Sequence, residues 1–177
     1  YGELIAKRNS IIIEPNVPVI LCKTENENEY LGVYAKTTEA QIKAYLNRSD
    51  IVYKKIITTP ESFRKVRKVA TTLKLNLYTD FFCLFDECEK ITQDSDYRPA
   101  ISQPIGDFFR FTNKAFVSAT PLSPSHPEFT NQDFSKIKIQ SDYNYKKDIT
   151  LIFTNSFINQ VRETLANLAD SNCICIF

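Results

Sequence analysis

Two adjacent acids, Asp86 and Glu87, close the apolar run Phe81–Phe85 in the stretch FFCLFDECEK. A short apolar run of this kind forms a strand buried on both faces. Charged groups at its end therefore need a physical reason. Either they cap the next element, or they hold a metal ion and a water molecule. Further along, Ser118-Ala119-Thr120 closes a second apolar run, Ala115–Val117, with two hydroxyls.

Other chemistries lack their parts. The single histidine, His126, lies in a proline-rich loop, which excludes histidine triads and histidine-based zinc clusters. Cys22, Cys83, Cys88, Cys173 and Cys175 form an odd set, and Cys83 and Cys88 have no second Cys or His pair to complete a metal site. They read as small buried hydrophobes in a reducing, cytoplasmic setting.

The elements that position these groups share one grammar. Ser10–Ile13 closes in Glu14-Pro15-Asn16, and Lys55–Ile57 leads into Thr58-Thr59-Pro60-Glu61. Phe81–Phe85 and Ala115–Val117 lead into the acids and hydroxyls already named. Strands alternating with helical patterns predict right-handed crossovers and a parallel sheet. All four polar clusters then emerge at the carboxyl edge, where open α/β sheets bind ligands.

Helices fill the intervals. Thr38–Asn47 offers a threonine cap and places Ile42, Tyr45 and Leu46 on one side. Thr59-Pro60-Glu61 is a helix-start signature. The helix after it buries Phe63, Val66, Ala70 and Leu73 and shows Arg64, Lys65, Arg67 and Lys68, most simply as a solvated face. After Thr120, PLSPSHPEFTNQD reads as a loop or boundary, and KIKIQ alternates like a strand. From Asp148, TLIF, FINQVRETLANLA and CICIF read as the strand, helix and strand of a second α/β domain.

With 177 residues, 43% hydrophobic and 24% charged, the chain has the composition of a globular protein, and its net charge of +1 neither favours nor excludes nucleic acid. No apolar run approaches the ~20 residues of a membrane span, so no membrane partner is expected. The N-terminus does not resemble a signal peptide.

LFDECEK at 84–90 followed by FVSATP at 116–121, with TTPES at 58–62 upstream, resembles the superfamily 2 (DEAD/DEAH-like) helicases and translocases. The resemblance implies a three-layer, doubly wound parallel sheet, the RecA-like P-loop NTPase domain, over residues 1–141. A second RecA-like domain would begin over 142–177. It implies ATP and Mg²⁺ as cofactors, with Asp86 as the metal residue acting through the ion's water shell and Glu87 as the catalytic base. Ser118, Ala119 and Thr120 would be the coupling motif III. IIIEPN looks like motif Ia and TTPES like motif Ib, so Pro15, Asn16, Thr59, Pro60 and Arg64 would contact the phosphate backbone of DNA or RNA. A helix start at Thr59-Pro60 would supply free N–H groups for phosphate, with Glu61 partly countering that attraction. Cys88 and Glu89 depart from the DEAD and DEAH spellings while leaving the hydrolytic acids intact.

The sequence contains no G-x-x-x-x-G-K-[ST] phosphate loop. Gly2 is read as the tail of that loop, a cofactor-binding residue, with the helix ELIAKR after it. No methionine occurs, and the chain reads as an excised fragment, inactive alone, of an ATP-dependent helicase or translocase. The arginine finger would lie beyond Phe177. Two alternatives stand beside this one. A degenerate helicase-like module would bind nucleic acid or protein without turnover, and a restriction-system subunit would translocate on DNA without unwinding.

Overall fold

The computed structural model describes residues 2–25, 28–94, 96–120, 126–139 and 155–167. The chain divides into two units, Tyr1–Phe134 and Ser135–Phe177. The first contains a parallel sheet of β1 (Ser10–Ile13), β2 (Tyr30–Val33), β3 (Lys55–Thr58), β4 (Phe82–Phe85) and β5 (Asn113–Phe116). Its order is β2-β3-β1-β4-β5, so the winding reverses direction at the central β1. Ile13 stands level with Thr58 on one side and Phe85 on the other. The loops leaving β1, β3 and β4 therefore start at the same height.

Helices cover both faces, which is why the central strands are apolar at nearly every position. On one face α1 (Gly2–Ile5) and α2 (Val17–Thr24) bring Leu4 and Ile20 against Ile12 and Ile57. On the other, α3 (Glu39–Leu46) and α4 (Phe63–Thr72) bury Ile42, Tyr45, Phe63 and Val66 with Ile11, Ile13, Ile56 and Phe85. The α3 start follows its sequence signature. Thr38 Oγ1 accepts the Gln41 N–H at 3.3 Å and Gln41 Oε1 accepts the Thr38 N–H at 2.8 Å, a reciprocal capping box.

Four single turns follow: α5 (Leu77–Asp80), α6 (Lys90–Gln93), α7 (Ile105–Phe108) and α8 (Glu128–Asn131). They carry an aromatic cluster that backs β5. Phe108 lies 4.1 Å from Phe116 between ring centres, and Phe85, Phe109 and Phe134 surround it. At the amino edge, the buried Lys55 donates to the Glu3 carbonyl at 2.7 Å and to the Ser10 hydroxyl at 3.0 Å. This anchors α1 at the start of the strands.

Several expectations change. The strand β2 and helix α2 are additional to the sequence reading. The Lys136–Ile139 segment carries no strand, and Ile137 and Ile139 are exposed. Alternation makes a strand only where a neighbour accepts its ladder, and no such neighbour occurs among the described residues. Within the second unit, α9 (Phe157–Asn167) matches the helix read from FINQVRETLANLA. The predicted strands at 150–153 and 173–177 lie outside the described residues.

Candidate functional site

The parallel sheet sends Glu14-Pro15-Asn16, Thr59-Pro60, Asp86-Glu87 and Ser118-Ala119-Thr120 out at its carboxyl edge. Neighbouring strands make neighbouring loops, so the acids meet the loop after β1 on one side and the loop after β5 on the other. The Asp86 N–H donates to the Ile13 carbonyl at 2.9 Å. Asp86 Oδ1 accepts the Glu87 N–H at 3.1 Å, while Oδ2 stands 3.9 Å from Lys23 Nζ. Asn16 Nδ2 donates to Glu87 Oε2 at 2.6 Å. Glu87 has a backbone φ of 46°, a left-handed conformation that costs a non-glycine residue about 1–3 kcal/mol.

A third acid completes the cluster. Glu14 is 1% exposed, its Oε1 accepts the Asn16 N–H at 2.9 Å, and its Oε2 lies 3.7 Å from Lys23 Nζ. Burial pushes the Glu14 carboxyl above its ordinary range. The Asn16 N–H and Lys23 oppose that shift, and the charges of Asp86 and Glu87 reinforce it. Sequence reasoning missed both Glu14 and Lys23. The available signal was that Glu14 ends an apolar run just as Asp86 does.

On the other side, the Val117 N–H donates to the Phe85 carbonyl at 2.9 Å, and the Cys88 N–H to the Val117 carbonyl at 3.1 Å. Ser118 Oγ accepts the Thr120 N–H at 3.0 Å. Thr120 Oγ1 reaches Glu89 Oε1 at 3.4 Å, so the glutamate at the fourth position of DECE touches the Ser-Ala-Thr loop. Glu89 is 8% exposed and its Oε2 accepts no hydrogen bond, leaving a buried acceptor unsatisfied at this junction. Ala119 is exposed.

The residues read as nucleic-acid contacts are mostly closed off. Pro15 and Pro60 are buried, and Thr59 is 4% exposed. The helix start at Thr59 does not offer the free N–H groups expected of it. The tight turn Pro60–Ser62 directs the Ser62 and Phe63 N–H groups to the Thr59 carbonyl, both at 3.1 Å. Asn16 is half-buried with its amide committed to Glu87. Arg64 alone of the five is exposed, and it lines an open groove of about 1120 Å³ along α4 with Lys74 and Arg110, away from the acids. Other α4 cations are engaged internally: Lys65 by the carbonyls of Tyr34, Ala35 and Thr37, Arg67 by Asp107, Lys68 by Glu39.

Arg98 was not singled out in the sequence, and it joins two of these loops. Its guanidinium donates to both Glu61 oxygens, with Nη2–Oε2 at 3.0 Å, and Nη1 donates to the Pro15 carbonyl at 2.9 Å. Burial works against the Glu61 charge, yet the Arg98 hydrogen bonds prevail and hold its carboxyl below the ordinary range. The counter-charge expected at Glu61 is thereby neutralised within the protein.

The donor set bears on the implied cofactors unevenly. No group of three or more His, Cys, Asp or Glu side chains converges as a metal cage among the described residues. The Asp86 side chain is 29% exposed and its Oδ2 has only the Lys23 ammonium, at 3.9 Å, near it among the described residues, which suits an ion held through its water shell. For a nucleotide's phosphates no cradle is found among the described residues. Gly2 does not join the acids: its neighbour Glu3 is bonded to Ser10 and Lys55 at the amino ends of β1 and β3, so Gly2 stands at the opposite edge of the sheet. Cys83 is buried, which pushes its thiol pKa well up, and His126 stacks on Phe109. Neither belongs to the site.

Comparison with known proteins finds no matching family model, no matching curated protein and no matching solved structure. Among the described residues no helix is long and apolar enough to cross a membrane.

Proposed function

We propose that this chain is part of an ATP-dependent nucleic-acid helicase or translocase, with a RecA-like P-loop NTPase fold in its first unit and the start of another in its second. The observation that carries this reading is one junction. The acids after β4 and the Ser-Ala-Thr loop after β5 are hydrogen-bonded neighbours at the carboxyl edge of a parallel sheet, through Cys88–Val117 and Thr120–Glu89. Asp86 would hold a Mg²⁺ ion through its water shell, and the ion would supply charge neutralisation at the phosphates. Glu87 orients and deprotonates the attacking water, and the Thr120–Glu89 contact relays the state of that loop to the neighbouring strand. DNA or RNA would be held by its backbone, and a cytoplasmic location belongs to the same reading.

A second reading, a helicase-like module that binds without turnover, is favoured by a specific observation. Pro15, Thr59 and Pro60 are buried, and among the described residues no phosphate cradle accompanies the acids. Glu87→Gln in the full-length protein separates the two. Under the hydrolytic reading it cuts nucleic-acid-stimulated ATP turnover by at least about 100-fold, the scale of a lost general base, and leaves ATP binding in place. Turnover equal to wild type would refute the assigned role.

A further inference from the structure

The groove along α4 runs from Arg64, near the carboxyl edge of the sheet, to Tyr78 and Arg110 at the amino edge. Tyr78 is placed there by its carbonyl, which accepts the Thr112 N–H at 2.8 Å just before β5 begins. Six cations and a single acid, Glu39, line the groove, in a chain whose net charge is +1. The positive charge of the molecule is therefore gathered on this face. Lys65, Arg67 and Lys68 have the internal partners already described. Arg110 donates to the Tyr78 hydroxyl at 2.8 Å and lies over that ring, 3.9 Å from its centre. Arg64 and Lys74 are exposed, and neither has a hydrogen bond or ion pair from its side chain among the described residues.

We propose that this groove binds the phosphodiester backbone of a single-stranded nucleic acid, with Arg64 and Lys74 each neutralising a phosphate; this rests on the nucleic-acid partner of the reading above and not on its hydrolytic chemistry. The two cations stand about 15 Å apart along α4 at 1.5 Å per residue, far enough to hold separate phosphates of one strand. At about 1120 Å³ the groove exceeds the roughly 300–1,000 Å³ of a small-molecule pocket and is open to solvent, which suits an extended chain. Leu75 is its one exposed large apolar side chain. A protein partner would need aromatic or aliphatic anchors, and lysine is depleted where such partners dock. Interfaces with nucleic acid are instead polar and strongly positive. A concave surface admits a flexible strand, whose charges can follow the groove, better than a rigid duplex. Arg110, more than half exposed above Tyr78, offers a guanidinium plane on which any base can stack.

The test is fluorescence anisotropy of the full-length protein with a labelled mixed-sequence single-stranded DNA, and with RNA of the same sequence, over a range of salt. The double variant Arg64→Ala, Lys74→Gly removes two phosphate contacts. It is expected to weaken binding about 25-fold at about 0.1 M salt and to flatten the slope of log K against log salt by about 1.4, or about 0.7 per phosphate. Both changes suit the fold: alanine favours an exposed helix position, and glycine favours the left-handed φ of 59° at which Lys74 closes α4. The charge-keeping pair Arg64→Lys, Lys74→Arg is expected to retain the wild-type slope. Lys7→Ala, a charge removed beside α1 on the other face of the sheet, is expected to bind as wild type does. A double variant that binds as wild type, or an equal loss in Lys7→Ala, would overturn the groove while leaving the nucleic-acid reading standing. A loss with DNA alone or RNA alone, where wild type binds both, would overturn the backbone contact. Poly-glutamate that displaces the DNA at equal charge, and loses its hold in the double variant, would overturn the nucleic-acid occupant in favour of an acidic protein segment. Wild-type protein that binds neither strand would overturn the nucleic-acid reading itself.

Discussion

Arg98→Ala removes the side chain that joins the loops after β1 and β3. Its guanidinium donates twice to Glu61 and once to the Pro15 carbonyl, and the paired side chains are 27% and 31% exposed. That places the pair between surface ion pairs, worth about 0–1 kcal/mol, and buried ones, whose rupture costs about 3–5 kcal/mol. A loss of about 1–3 kcal/mol follows, read as a lower midpoint in urea unfolding. A double-mutant cycle with Glu61→Gln isolates the pair, with an expected coupling of about 1–2 kcal/mol. The pH dependence has a defined sign. Because Arg98 holds the Glu61 carboxyl below its ordinary value of 4.5, the contribution is complete above that value and disappears as pH falls through the lower folded pKa. The gap between wild type and Arg98→Ala should thus be full at neutral pH and narrow in acid. A coupling indistinguishable from zero, or a gap that widens in acid, would refute the clamp.

Glu14 gives the opposite pH signature. Burial raises its folded pKa, so its native form is favoured below the unfolded value and loses ground as pH rises through the folded one. The stability of Glu14→Gln relative to wild type should therefore improve as pH rises from the unfolded carboxyl range through the raised folded pKa, measured by thermal melts; a difference independent of pH would contradict the burial of that carboxyl. Phe108→Ala should cost about 3–5 kcal/mol in urea unfolding, since the ring is fully buried among Phe85, Phe109, Phe116 and Phe134. A loss below about 1 kcal/mol would show that the cluster does not support β5 as described.

The sheet was legible where local pattern and tertiary role coincide. Ile11–Ile13 is β-branched, with Ser10–Ile13 buried throughout, and Phe81–Phe85 is uniformly apolar, so both announce central strands. Tyr30–Val33 did not, because it is a short edge strand interrupted by a glycine, with three of its four residues half-buried and only Val33 buried. Gly32 is there for clearance: a Cβ would lie 2.9 Å from Thr24 Oγ1. By contrast, α2 carries an ordinary start signature, Asn16 before Val17-Pro18, which the sequence reading passed over.

The site divides in the same way. That the polar clusters share an edge follows from strand alternation alone. Which loops touch does not, because it depends on β4 inserting beside β1, a long-range choice. Asn16 and Glu87 lie in separate polar clusters in the sequence and form one contact in space. Lys23 and Arg98 lay in stretches with no chemical signature. The Thr59-Pro60 start misled for a physical reason: the signature marks where a helix begins, not whether its first N–H groups stay open.

The most direct test is a structure of the full-length protein with Mg²⁺, ADP and aluminium fluoride. The acid-pair mechanism predicts the fluoride beside the carboxyl edge, a water on the Glu87 carboxylate, and the metal's water shell against Asp86. A nucleotide bound at another edge, with both carboxylates too distant for a water to bridge, would contradict it.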